Sequence, residues 1–132
     1  MSSLNKVRKN RTPKRILFDR VWSKMSIYVR QKAKGKCYTC GDKRDYKSQN
    51  AGHFLHGKTK PTYLNEDNVR CQCVKCNKWL SGNLGIFGVK LVKEIGDKRV
   101  NKLIKQKDQI KIWKIEELEK LDKYYTNKLK EL

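Results

Sequence analysis

The chain has 132 residues, enough for one domain with a modest hydrophobic core. Its 33 Lys and Arg residues against 13 Asp and Glu give a formal net charge of +20, which predicts a polyanionic partner, nucleic acid above all. A membrane is not the expected partner, since basic residues are spread along the whole chain and no apolar run approaches the roughly 18 residues of a spanning helix. The N-terminal sequence has no apolar signal segment, so we expect a cytoplasmic protein.

The first part of the chain divides into an arm and a helix. Residues 1 to 15 are basic and poor in apolar side chains, which predicts a flexible basic arm. Apolar side chains then recur at steps of three and four from residue 16 to residue 34, the pattern of an amphipathic helix. Gly35 is well placed to end this helix.

The middle of the chain predicts a strand, a loop, a second strand and a short helix. AGHFLHG, residues 51 to 57, has strand character, and NVRCQC, residues 68 to 73, predicts the second strand. The segment from 58 to 68 has loop composition and is expected to be exposed and mobile. VKCNKWLSG, residues 74 to 82, is typical of a short helix that ends near its glycine.

Helices are predicted for the rest of the chain. One carries the apolar positions Ile86, Val89, Val92 and Ile95, and Asp97 is placed to cap the next. The last segment, residues 115 to 132, predicts an amphipathic helix that either packs on its own domain or forms a homodimer. The division is therefore an arm, a domain over residues 16 to 114, and this C-terminal helix.

Five cysteines stand in a chain expected to be cytoplasmic, where disulfides are rare and paired C-x-x-C spacings indicate metal. Cys37 with Cys40, and Cys73 with Cys76, form two such pairs. Four thiolates suit a tetrahedral, structural Zn2+. Cys71 lies outside the pattern and is interpreted as a buried thiol.

The two cysteine pairs are unusually far apart. Residues 41 to 72 separate them, whereas a zinc ribbon with this spacing pattern has about 15 to 20 residues there. The insert contains His53, His56 and Asn68, and Asn77 directly follows the second pair. A His, an Asn and a further polar ligand after C-x-x-C is the order found in HNH nucleases.

Several segments together resemble a known family. AGHFLH, NEDNVRCQCVKCN and LSGN, followed by GVKLVKEIGDKRV, are similar to the phage NinG/Rap recombination proteins, and the similarity extends over most of residues 17 to 126. The resemblance implies a branched-DNA or Holliday-junction endonuclease acting in the cytoplasm of a phage-infected bacterium. It also implies an α+β fold, predominantly helical, with a His-Me finger (ββα-metal) core beside the structural zinc.

In that interpretation His53 is the general base, because a neutral imidazole can take a proton from water near pH 7. Asn77 would offer an amide oxygen to Mg2+ or Mn2+, and Asn68 resembles the middle Asn of the motif, which fixes the loop that orients the base. Many HNH enzymes place a metal ligand directly before this His, but here the residue is Gly52. His56 is a possible replacement ligand if the strand breaks after Phe54.

DNA contacts are expected from basic side chains near the site and in the arm. The candidates are Arg70, Lys75, Lys78, Arg30, Arg8, Lys9 and Arg11. Two alternatives stay open: a zinc-stabilised DNA-binding accessory protein without cleavage activity, which the missing ligand at Gly52 favours, and an HNH nuclease that cleaves ordinary duplex DNA.

Overall fold

A computed structural model describes residues 11 to 132, and its first element is the long helix α1, Pro13–Lys32. Thr12 caps the helix by accepting a hydrogen bond from the Arg15 amide at 3.1 Å, and Pro13 occupies the first turn. The helix starts three residues before the predicted position, so the expected arm overlaps it. Arg8 and Lys9, expected to contact DNA, lie outside the described residues.

A two-stranded antiparallel hairpin follows, made of β1, Asn50–His53, and β2, Val69–Gln72. Gly52 pairs with Arg70, and His53 pairs with Val69. A short helical segment, Lys75–Trp79, comes next and is wound more widely than an α-helix, with the Leu80 amide donating to the Lys75 carbonyl at 2.9 Å. The predicted order of strand, loop, strand and short helix is confirmed, with shorter strands.

The remaining elements are the helices α2, Leu84–Ile95, α3, Asp97–Gln106, and α4, Ile115–Glu131. Asp97 is the first residue of α3 and not its cap. Gly96 holds the capping position with φ 88°, a conformation that favours glycine. The described chain is mostly helical with a small antiparallel sheet, and no helix in it is long and apolar enough to cross a membrane.

The larger core lies between α1, α4 and one face of the hairpin. Its buried side chains include Val21 and Met25 from α1, Val69 and Cys71 from β2, and Leu118 from α4. Alternate residues of β2 point to this face, as the two-residue period of a strand requires. Burial of these apolar side chains is what orients the hairpin on α1.

The C-terminal helix packs on α1 within the same chain, the first of its two expected uses. Lys24 Nζ donates to an Asp122 carboxylate oxygen at 2.8 Å, and the Tyr28 and Tyr125 rings lie 5.8 Å apart. The side chains at the centre of the predicted stripe are therefore covered by the chain itself.

A smaller core joins α2 and α3, and its composition corrects the predicted face of α2. Phe87 and Leu91 are fully buried, whereas Val89 is 58% exposed and Ile86 is also exposed. Phe54 packs against this core from the residue just after β1. Phe87 has a larger apolar surface to bury than Ile86 or Val89, which favours the observed face of α2.

The loop between the strands is also not the exposed segment that its composition predicts. Thr62 and Leu64 are buried, and Tyr63 stacks on Phe18 of α1 with ring centroids 5.6 Å apart. The loop has a polar composition, but these three side chains point inward. The prediction of an exposed loop was therefore wrong.

Candidate active site and zinc centre

The sulfur atoms of Cys37, Cys40, Cys73 and Cys76 converge in the structure. All four lie within 4.8 Å of one another, and those of Cys40 and Cys73 are 3.7 Å apart. Tetrahedral zinc with Zn–S bonds of about 2.3 Å requires S–S separations near 3.8 Å. The four residues therefore fit Zn2+, and the predicted grouping of two C-x-x-C pairs is confirmed.

Backbone amides surround this cluster and fix the two cysteine turns. The Asp42 amide donates to Cys40 Sγ and the Cys76 amide donates to Cys73 Sγ, both at 3.4 Å. Such N–H···S bonds favour thiolate over thiol. The first turn is attached to the hairpin where the Tyr38 amide donates to the Cys71 carbonyl at 2.8 Å.

Cys71 lies outside the cluster, on the other side of β2. Its thiol is buried in the larger core, and burial raises its pKa to about 11. It has the environment of an inert, small apolar side chain.

His53 is the last residue of β1 and forms a cluster with the rings of Trp22 and Tyr63, whose own centroids lie 5.0 Å apart. Its imidazole stacks on Trp22 of α1 with centroids 4.8 Å apart and on Tyr63 of the loop at 4.4 Å. The side chain is only 8% exposed, and burial lowers its pKa below the usual 6.5. The ring is therefore held in place and neutral at pH 7.

A single hydrogen bond sets the tautomer of this imidazole. Nε2 lies 3.0 Å from the Tyr63 carbonyl oxygen, which can only accept, so Nε2 carries the proton. The hydrogen bonds among the described residues leave Nδ1 unpaired, with its lone pair available. This is the arrangement that a general base requires.

Asn68 ties the loop to the end of β1. Its Oδ1 accepts from the Leu55 amide at 2.8 Å, and its Nδ2 donates to the carbonyls of Leu55 and Thr62 at 2.9 and 3.0 Å. The side chain is completely buried. Since Thr62 precedes Tyr63, these bonds also position the carbonyl that orients His53.

Asn77 lies on the other side of the hairpin, in the short helical segment. Its Oδ1 is 3.1 Å from the point that a Cβ on Gly52 would occupy. Gly52 and His53 are neighbours in a strand, so their Cβ directions are opposite: one faces Asn77 and the other faces α1. His53 and Asn77 thus flank the end of β1.

Three contributors to this region had no signature in the sequence. Trp22 belongs to an ordinary apolar helix stripe, and Tyr63 stands in a polar loop. Gln72 is completely buried beside Gly52, with its Oε1 1.9 Å from that same hypothetical Cβ. The one available signal was the glycine where many HNH enzymes have a ligand.

His56 could be a metal ligand only if the strand breaks before it, and β1 does end at His53. Its Nε2 lies 3.5 Å from the point that a Cβ on Gly82 would occupy, and Gly82 accepts a hydrogen bond from Gln72. The exposed His56 is therefore close to the Asn77 side of the hairpin.

The basic residues expected at the site fall into two groups. Lys75 and Lys78 are exposed on the segment that carries Asn77. Arg70 is instead held by Glu94 at 2.9 Å and by the carbonyls of Glu66 and Val69.

The other two arginines among the described candidates for DNA contact also have partners within the chain. Arg30 donates to the Ser26 and Tyr46 carbonyls. Arg11 forms an ion pair with Asp19 at 2.6 Å. Lys75 and Lys78, unlike Arg11, Arg30 and Arg70, have side chains without a hydrogen-bond or ion-pair partner among the described residues.

Together, the fold and the cysteine cluster define a small, mostly helical domain with a two-stranded antiparallel sheet and four thiols that could hold zinc. The model of one family, described as Bacteriophage Lambda NinG protein, matches residues 3 to 132. The chain belongs to the NinG family.

Curated relatives agree with this assignment. Protein ninG of Escherichia phage lambda is 31% identical over 110 residues, which cover 82% of this chain and 53% of that protein. Protein ninG of Escherichia phage 933W is 29% identical over 82% of this chain and 54% of its own length. Protein ninG of Enterobacteria phage H19B is 34% identical over 62% of this chain and 41% of its length. The chain thus spans about half the length of the curated relatives it matches, and no solved structure matches it.

Proposed function

We propose that this chain is a metal-dependent endonuclease that hydrolyses phosphodiester bonds in branched DNA during phage recombination, with His53 as general base. The observation that carries the proposal is the imidazole packed against both Trp22 and Tyr63, with its Nε2 hydrogen-bonded to a carbonyl and its Nδ1 without a partner among the described residues. Membership of the NinG family supports the connection with phage DNA.

The proposed reaction requires one proton transfer to His53. A water molecule next to the scissile phosphate would transfer its proton to Nδ1 of His53 as its oxygen attacks phosphorus. Because burial lowers the pKa of His53, the imidazole is available as a base at neutral pH. Asn68 contributes by fixing the loop carbonyl that holds Nε2, so it is a positioning residue.

A cation would be held on the other side of β1 by Asn77, in a core that we propose to be of the ββα-metal type. Bound Mg2+ or Mn2+ would supply stabilisation of the negative charge on the leaving oxygen. An amide oxygen is a suitable ligand for these hard ions, which take much of their coordination shell from water and substrate phosphate. The four cysteines would hold a separate, structural zinc.

DNA as the substrate is supported by the charge of +20 and by the exposed Lys75 and Lys78 beside Asn77. Lysines at this position would neutralise phosphates on either side of the scissile bond. The preference for branched DNA rests on the resemblance to the NinG/Rap proteins.

A DNA-binding accessory role without cleavage is the second candidate. Gly52 supplies no side chain where many HNH enzymes have a metal ligand. In that case the basic surface would bind DNA while the site would be chemically inactive.

A cleavage assay separates the two candidates. The wild-type protein, His53→Ala and Asn77→Ala are incubated with a labelled four-way junction and a linear duplex of matching sequence, with and without Mg2+. We expect the wild type to cleave the junction in Mg2+ and both variants to lose at least about 100-fold in rate, the usual contribution of a general base. Failure of the wild type to cleave any DNA, with binding retained, would refute the nuclease.

Chemical rescue distinguishes a lost base from a damaged fold. His53→Ala leaves a cavity beside the Trp22 and Tyr63 rings that free imidazole can fill. Added imidazole should restore part of the cleavage by His53→Ala and none of the cleavage by Asn77→Ala.

A further inference from the structure

Gln72 is a fully buried amide whose oxygen has no hydrogen-bond partner among the described residues. Its Nε2 donates to the Gly82 carbonyl at 2.8 Å and to Thr39 Oγ1 at 3.1 Å. The Gly82 carbonyl can only accept, so the NH2 group must be on that side and Oε1 on the other. A buried, unpaired amide oxygen is costly, and its direction is fixed.

That oxygen lies directly over Gly52. A Cβ on Gly52 would be 1.9 Å from Gln72 Oε1 and 3.1 Å from Asn77 Oδ1. Gly52 is an ordinary strand residue and is absent from the glycines with positive φ, so its backbone does not demand glycine. Glycine is needed because two side-chain oxygens share the space that a side chain at position 52 would fill.

We propose that Gln72 Oε1 and Asn77 Oδ1 form a two-oxygen site for a hard divalent cation over Gly52. Gln72 thereby replaces the ligand that position 52 lacks. The inference rests on the proposed nuclease function and names a ligand that sequence patterns do not indicate.

Two neutral amides set the properties of this site. They compensate none of the charge of a divalent cation, so the free protein binds the cation weakly and DNA phosphates complete the coordination shell. The site is also joined to the cysteine cluster, since Thr39 Oγ1 contacts both Gln72 Nε2 and Cys37 Sγ, the latter at 3.4 Å. Zinc bound to the cysteines would therefore help to orient the Gln72 side chain.

Mn2+ binding measures the site without cleavage. The full chain, loaded with zinc, is titrated with Mn2+, and free Mn2+ is followed by electron paramagnetic resonance. We expect Gln72→Ala and Asn77→Ala each to weaken Mn2+ binding by at least about tenfold, because even the loss of a group that only supports a ligand costs about that much.

Gln49 offers a matched control. It is also a buried glutamine with an unpaired Oε1, and its Nε2 donates to two backbone carbonyls, those of Gly35 at 2.8 Å and Asp42 at 3.2 Å. Gln49→Ala thus removes a similar set of interactions away from Asn77. It should leave Mn2+ affinity unchanged, and a loss equal to that of Gln72→Ala would overturn the proposal.

A second variant transfers the ligand to the opposite strand. Gly52→Asp in the Gln72→Ala background places a carboxylate in the vacated space and should restore Mn2+ binding to the wild-type level or better. If the double variant folds with full zinc and still binds Mn2+ no better than Gln72→Ala, the proposal is wrong.

Failure of this inference is distinct from failure of the nuclease proposal. A wild type that cleaves DNA while Gln72→Ala binds Mn2+ normally removes Gln72 from the site and leaves the nuclease intact. A wild type that binds Mn2+ through Gln72 and Asn77 but cuts no DNA supports the cation site and refutes cleavage.

Discussion

The face of the hairpin that meets α1 is packed with apolar and aromatic side chains, whereas the opposite face meets the cysteine cluster, Gln72 and Asn77. On the first face, buried residues such as Val21, Met25 and Leu118 supply stability without any ligand. On the second, three of the four clustered cysteines are buried, and the neighbouring Tyr38 and Phe54 connect this face to the smaller core of α2 and α3. A small domain can thus rely on apolar burial on one side of a sheet and on metal coordination on the other.

The largest expected change in stability comes from a substitution in the cysteine cluster. Cys73→Ser should abolish stoichiometric zinc and lower the thermal midpoint steeply, because zinc binding to such sites contributes about 10 kcal/mol or more. Part of the helical circular dichroism should persist, since α1 and α4 pack without these cysteines. Zinc content by atomic absorption and thermal melts measure both.

Cys71→Ala is the matched control for that variant. It removes a buried thiol from the same strand region but not from the cluster, so zinc content should be unchanged. Equal zinc loss in the two variants would contradict the assignment of ligands.

On the α1 face, Leu118→Ala should lower the free energy of unfolding by about 2–5 kcal/mol, the range for removing a buried leucine side chain. Zinc content should stay at one per chain, because the leucine and the cysteines belong to different clusters. Chemical denaturation gives the energy. Ile115→Ala, at an exposed position of the same helix, should cost far less.

The pH dependence of stability probes the aromatic side again. Burial lowers the pKa of His53 in the folded state, so below pH 6.5 the unfolded chain takes up a proton that the folded chain does not. Stability should therefore fall as the pH decreases through 6.5, by at most about 1.4 kcal/mol per pH unit, and level off below the lowered pKa. Denaturation at a series of pH values measures this slope.

Two histidine variants test which residue causes the pH dependence of stability. His53→Phe should flatten it, whereas His56→Gln removes the exposed histidine and should leave it in place. A slope that survives in His53→Phe would mean that other groups cause the acid sensitivity.

The smallest effect concerns DNA affinity on the cysteine side. Replacing Lys75 and Lys78 by Ala should reduce the slope of log K against log salt by about two, close to 0.9 for each lost phosphate contact. Removing Lys120 and Lys123, two exposed lysines of α4, is the matched change on the far side and should alter the slope less. Fluorescence anisotropy at several salt concentrations provides the slopes, and equal changes would place the DNA elsewhere.

The predictions from the sequence were most accurate where the spacing of residues indicates a chemical site or a secondary-structure element. The two C-x-x-C pairs predicted which four sulfurs converge, and the order of strands and short helix followed from alternating patterns and glycine positions. The face of α2 was wrong because Ile86 and Val89 fit the helical period as well as Phe87 and Leu91 do. The buried set is the one that meets α3 together with Tyr38 and Phe54, contacts between segments that the helical period does not specify.

The candidate site shows a similar limit. His53, Asn68 and Asn77 stand in a recognisable order, but Trp22, Tyr63 and Gln72 contribute through contacts between distant segments. A buried glutamine in a strand has no pattern of its own. The role we propose for it depends on Gly52 of the opposite strand, which leaves room for Oε1.

The pairing of α1 with α4 has a consequence for synthesis on the ribosome. Lys24 and Asp122, which are hydrogen-bonded, are 98 positions apart, and the hairpin is translated between them. During synthesis the hairpin can cover part of the apolar side of α1, but the rest stays exposed until α4 has been made, by which time both cysteine pairs are already available to bind zinc. A chain that ends before residue 118 would therefore contain all four clustered cysteines and the aromatic neighbours of His53, but it would lack Leu118 and Tyr125, which complete the larger core.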